Sequence, residues 1–166
     1  MVQVASPDGF LDLYERTVTD VYSYLASRVR DRGAAEDLTQ EVFVVAARRA
    51  ATGGVVDLPW LIGVARHKLV DHWRAQARDT RKLALARSAL LTQELDDPVS
   101  IDPGLASTVL ADLNPIYRAA LVLRHVDGLS VAAIAEHLDR SVEATEQVLS
   151  RARATFRERY QGARDE

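Results

Sequence analysis

Apolar positions return at steps of three and four through most of the chain, the period of helices that bury one stripe. Phe10, Tyr14, Val18, Val21, Tyr22, Leu25 and Val29 align in this way, which predicts a helix of about five turns. Gly33 is its expected stop. A second helix is predicted over about residues 34 to 50, with Leu38, Val42, Val45 and Arg49 on one side. The paired glycines of "ATGGVVDLP" then break the pattern. A third helix is expected in "WLIGVARHKLVDHWRAQARDTRK". Pro59 suits its first turn, where a missing N–H has no helical partner to lose.

Further on, "TQELDDPVSIDPG" carries Glu94, Asp96, Asp97 and Asp102 with no basic residue, and residues 83–104 read as an acidic linker. Beyond it "LASTVLADL" predicts a short helix. Asn114 and Pro115 supply an N-cap and a first-turn proline for "IYRAALVLRHVDG", which Gly128 should end. Ser130 and Ser141 stand where caps would start two more helices, spaced as a helix-turn-helix. The prediction is an all-α chain: one small helical domain over residues 8–82, the linker, and a second over 105–160.

Composition narrows the function. Hydrophobic residues make up 48% of the 166, enough for a core, and cysteine is absent, which removes disulfides, thiolate metal sites and thiol catalysis. No run approaches the roughly 20 apolar residues that span a bilayer, and "MVQVASPDGF" lacks a signal pattern. A cytoplasmic protein without membrane insertion is expected. The net charge of −3 means that a nucleic-acid partner would need locally concentrated positive charge.

That concentration exists in residues 60–82, which hold six Arg or Lys against two Asp. At helical pitch Leu61, Ala65, Leu69 and His72 fall on one side, and Arg66, His67, Arg74, Arg78 and Arg81 on the other. The basic side suits a phosphate backbone, although a plain solvated face has the same composition. His67, Asp71 and His72 resemble metal-ligand spacing, but His72 points about 140° away from His67 and is expected as a core histidine. Trp60, at the helix start, is also expected in the core. No nucleophile is placed beside a base, so neither an enzyme nor a cofactor or metal site is expected.

In order, "AAEDLTQEVFVVAARR", a glycine-containing loop, "WLIGVARHKLVDHWRAQAR", the acidic linker and "LNPIYRAALVLRHVDGLSVAAIAEHLDRSVEATEQVLSRARATFR" resemble an extracytoplasmic-function (group IV) RNA polymerase sigma factor across residues 10–159. The resemblance implies sigma region 2 over 8–82 and region 4 over 105–160. It implies that Asp37, Gln40, Glu41 and Arg48 dock on the clamp helices of the polymerase beta-prime subunit, with the beta flap as a second contact. The loop Gly53, Gly54, Val55, Val56, Asp57 and Leu58 would hold a base flipped from the minus-ten element. Arg66, His67, Arg74 and Arg78 would follow the strand and upstream duplex. Many members carry Asn where this chain has His67, which changes the expected base preference there. A restraining anti-sigma factor is a further implied partner.

For the minus-35 element the implied contacts are Arg140, Glu143, Glu146, Gln147, Ser150, Arg151, Arg153 and Arg157. Relatives commonly place basic residues where this chain has Glu146 and Val148. Two accounts of the acidic opening stand. Glu can accept from cytosine N4 and Gln can pair with adenine, while Arg140, Arg151, Arg153 and Arg157 hold phosphates. Alternatively, Glu143 and Glu146 favour the positive end of the helix dipole, and the element binds DNA weakly. The expected buried side of this last helix is Val142, Thr145, Val148, Leu149, Ala152 and Phe156. The rival functions are a stand-alone helix-turn-helix regulator and a helical adaptor with no nucleic-acid role.

Overall fold

A computed structural model of the chain describes residues 7–81 and 102–165, so most of the acidic linker, and the side chain of Arg81, lie outside the described residues. Seven α-helices are present among the described residues, with no strand. The chain divides into two compact units, Met1–Asp71 and His72–Glu166. None of the described helices is long and apolar enough to cross a membrane.

Helix α1 spans Pro7–Ala26 and α2 spans Arg32–Ala51. The face that α1 buries is Leu13, Thr17, Val21 and Leu25, and the Thr17 hydroxyl donates to the Leu13 carbonyl at 2.7 Å, which lets a polar residue sit in the stripe. Tyr14 stays 39% exposed at its margin, edge-on to Phe43 with ring centroids 4.7 Å apart. The expected stop at Gly33 is corrected here. The helix ends at Ala26, and Gly33 lies in the first turn of α2, where the Asp31 carboxylate accepts from the N–H groups of Gly33 and Ala34. Acceptance of two orphan donors by an aspartate outweighs the helix-breaking tendency of one glycine.

Helix α3 runs Leu58–Arg81. Asp57 caps it: its carboxylate accepts from Trp60 N–H at 2.9 Å and its carbonyl accepts from Leu61 N–H at 2.9 Å. Leu61, Ala65, Leu69, Val70 and Trp73 are buried. His72 is a second correction. It is half-exposed, shares a 3.1 Å hydrogen bond with Gln76, and leaves the core position to Trp73. A stripe that steps by four advances about 40° per step on a 3.6-residue helix, so by the third step from Leu61 it has moved from the expected face to Trp73.

In the second unit, α4 (Pro103–Asp112) is capped by Asp102, whose backbone N–H donates to the buried Tyr160 hydroxyl at 2.7 Å. Helix α5 (Pro115–Leu121) has the expected Asn114 cap and first-turn proline, and continues as a wide π-turn over Val122–Val126. Gly128, at φ +68°, ends it as expected. Helices α6 (Val131–Leu138) and α7 (Val142–Arg164) start at Ser130 and Ser141, each hydroxyl accepting from the N–H three residues on. Between them Asp139 takes the left-handed conformation, φ 53°, that glycine usually supplies at a helix end. Leu113, Leu121 and Ala152 form a core cluster to which Leu110, Tyr117 and Phe156 add. On α7 the buried residues are Thr145, Leu149, Ala152 and Tyr160. Val142 is 42% exposed and Val148 half-buried, contrary to expectation. They fall about 60° to either side of Thr145, at the margins of the stripe.

Candidate nucleic-acid interface

On α2 the residues Asp37, Gln40, Glu41 and Arg48 are all exposed, and helical pitch puts them within one arc. Asp37 makes no hydrogen bond or ion pair among the described residues. Glu41 differs, because its carboxylate meets the Lys68 ammonium of α3 at 2.9 Å. Within the same arc lies Val44, 51% exposed. The pattern of "VFVVAA" gave no sign of it, since an apolar residue in an apolar run looks like core.

The loop after α2 is shaped by its own backbone. Gly54 N–H donates to the Arg49 carbonyl at 2.9 Å, and Gly53 stands at φ +76°, which an L side chain rarely adopts. Val56 turns inward and is only 2% exposed, so among the six loop residues it anchors rather than contacts. Asp57 is occupied as the cap of α3. Gly53, Gly54, Val55 and Leu58 form the accessible rim. Trp60, expected in the core, is only half-buried, and the Arg49 guanidinium carbon lies 5.0 Å above its ring centroid. Cation–π contact has replaced part of the burial. Along α3, His67 and Arg78 are exposed and Arg66 and Arg74 half-buried.

On α7, Glu143, Glu146, Gln147, Arg151 and Arg153 are exposed, as is Arg140 before it, while Ser150 and Arg157 are half-buried. The structure separates the two glutamates. Bonds from its own backbone N–H, then from the Ser141 hydroxyl, hold the Glu143 carboxyl below its ordinary value. It is a capping group. Glu146 and Gln147 project one turn later.

His125, in the π-turn, was missed by the sequence reading. Burial, then the charges of Arg153 and Arg124, push its imidazolium below the ordinary value of 6.5. A basic cluster therefore joins the "RHVDG" turn to α7, and only the fold could show it. Because folding favours the neutral ring, the associated stability is complete above 6.5 and declines as pH falls below that value. The thermal unfolding midpoint should drop as pH falls below 6.5, and His125→Gln should flatten that slope. An unchanged slope in the variant would assign the titration to another group.

Comparison with known proteins follows the same division. Residues 13–79 match the family model described as Sigma-70 region 2, and residues 105–156 match Sigma-70, region 4. The chain is 31% identical over 164 residues to the ECF RNA polymerase sigma factor BldN of Streptomyces coelicolor, covering 93% of this chain and 61% of that one. It therefore spans less than two thirds of that relative. It is 34% identical over 132 residues to the RNA polymerase sigma factor CarQ of Myxococcus xanthus, covering 76% and 75%. The fold is also similar to that of the sigma factor RpoE, solved in complex with the anti-sigma factor NepR from Bartonella quintana. That likeness has a TM-score of 0.55 at 19% identity and covers 92% of this chain and 96% of that one. With two sigma regions in order, and with the ECF RNA polymerase sigma factor SigK of Mycolicibacterium vanbaalenii matched at 30% identity over 82% of this chain and 74% of that one, this chain belongs to the ECF RNA polymerase sigma factors.

Proposed function

We propose that this chain directs core RNA polymerase to promoters in the cytoplasm and helps open them, with residues 8–82 acting as region 2 and 105–160 as region 4. What supports this is one sequence of surfaces: an acidic α2 face, a glycine loop leading into a basic α3, and a capped helix-turn-helix. Asp37, Gln40, Glu41 and Arg48 meet the beta-prime clamp helices, with Val44 adding apolar area, and region 4 meets the beta flap. The rim of Gly53, Gly54, Val55 and Leu58 accepts a flipped minus-ten base, an exchange of stacking worth about a few kcal/mol for pocket and backbone contacts. Arg66, His67, Arg74 and Arg78 follow the strand. An anti-sigma factor holds the chain when it is inactive. The chain provides specificity, and the polymerase performs the chemistry.

Promoter-dependent run-off transcription by core polymerase plus this protein tests the reading. Absence of transcripts from every genomic promoter would refute it. A stand-alone regulator would bind duplex DNA without retaining core polymerase in a pull-down.

At the minus-35 element, Glu146 and Gln147 read bases while Arg140, Arg151, Arg153 and Arg157 hold phosphates; Glu143 serves the helix end. Gln147→Ala should change which minus-35 sequences are used, and an equal loss on all of them would count against base reading. Arg151→Ala should leave sequence preference intact but lower the slope of log affinity against log salt by about one.

A further inference from the structure

We infer that Arg49 is a positioning residue for the minus-ten loop, and that it sets base preference through the shape it imposes on residues 53–58. The inference rests on the reading of that loop as the base-accepting surface. Arg49 lies on the last turn of α2 and engages the loop with both backbone and side chain. Its carbonyl accepts from the N–H groups of Thr52 and Gly54 and from the Thr52 hydroxyl, at 3.2, 2.9 and 2.9 Å. Its Nε donates to the Val55 carbonyl at 2.8 Å. Its guanidinium lies over Trp60, which belongs to the first turn of α3. One side chain thus ties the end of one helix, the middle of the loop and the start of the next helix.

Gly54 completes the device. A Cβ built there would stand 2.5 Å from Arg49 Cγ and 3.1 Å from its Nε and carbonyl oxygen. The arginine stem therefore occupies the space that any other residue at 54 would need. A glycine here is required by close approach, whereas at Gly53 it is required by φ. Arg49 is itself exposed, and its terminal guanidinium nitrogens make no hydrogen bond among the described residues. An exposed arginine would ordinarily keep its rotamer freedom. Here a carbonyl and an indole ring fix it, and the loop carbonyl that it restrains belongs to Val55, one of the rim residues.

Geometry rather than charge is the operative property. Lysine would keep the charge but has neither a planar group to lie on the indole nor an Nε at that point on the stem.

The test uses holoenzyme assembled from the full chain and core polymerase, with run-off sequencing on a library randomised at both promoter elements. Arg49→Ala and Arg49→Lys should each reduce discrimination at the minus-ten element by about tenfold, as expected for loss of one hydrogen bond from a charged donor. Minus-35 preference and core binding should be unchanged. Gly54→Ala should do the same, and should cost much less when Arg49 is already Ala, because the Cγ that it strikes is gone. An unaltered minus-ten profile in Arg49→Ala, full rescue by Lys, or multiplicative effects in the double variant would overturn the inference. Val55→Ala and Leu58→Ala supply the separate control. If they too leave minus-ten choice unchanged, the base-accepting reading of the loop fails; if they alter it while Arg49→Ala does not, only the role of Arg49 fails.

Discussion

Trp73→Ala should destabilise the protein by about 3–5 kcal/mol, the range for deleting a buried indole, whereas Trp73→Phe should cost far less. Trp73 is fully buried on α3, yet its indole N–H has no hydrogen-bond partner among the described residues. Desolvating a donor without a partner costs about 1–3 kcal/mol. Phenylalanine removes that penalty together with part of the ring, so the smaller cavity and the relieved donor offset one another. Urea unfolding of the two variants measures the difference. A Phe variant as unstable as the Ala variant would mean that ring volume alone decides, and that the N–H has found water. The Ala loss is a large fraction of the roughly 5–15 kcal/mol available to a typical domain.

Asp37→Lys should weaken core polymerase binding roughly a hundredfold, about 2.7 kcal/mol, with little effect on unfolding. The proposed partner surface is basic, and a lysine at the centre of the α2 arc replaces attraction with like-charge repulsion. Asp37 is a cleaner probe than Glu41. Its carboxylate makes no intramolecular pair among the described residues, so its loss removes nothing from the fold. Glu41 is bonded to Lys68, with both side chains partly exposed, 54% and 31%. Breaking such a pair costs about 0–1 kcal/mol, and Glu41→Gln would mix that loss with any loss of docking. Competition for core polymerase against unmodified protein gives the measurement. Equal competition by Asp37→Lys would remove α2 from the docking surface.

Local chemistry made the helix starts legible. Asn114, Ser130 and Ser141 each combine a short polar side chain with a following helical pattern, and capping needs nothing beyond a few residues of chain. Gly33 departs from the pattern because Asp31, two residues earlier, is itself a short polar capping side chain, so the glycine opens α2 and does not close α1. His72 and Val44 show a different limit. Period assigns a residue to a face, but which part of that face meets a neighbour depends on where the neighbour ends, and that is tertiary information. The role of Arg49 was hidden for a third reason. Its α-carbon belongs to the apolar side of α2, while its guanidinium reaches six residues ahead, and no pattern of α-carbons records the length of a side chain. The candidate DNA residues on α3 and α7 were readable as faces because charge segregates there by helical phase. His125 was not, because its neighbour Arg153 is 28 positions away in the chain.

The π-turn at Val122–Val126, closed by Asp127 N–H to the Val122 carbonyl at 3.0 Å, spends one residue more than an α-helical turn would. One residue is about 100° of rotation. The direction in which the chain leaves α5, and hence the aim of α6 and of α7 behind it, is set here by a count and not by a composition. Loss of a single position in this turn would leave every cap and nearly every core residue in place. It would nevertheless swing the start of α6 through more than a quarter of a revolution.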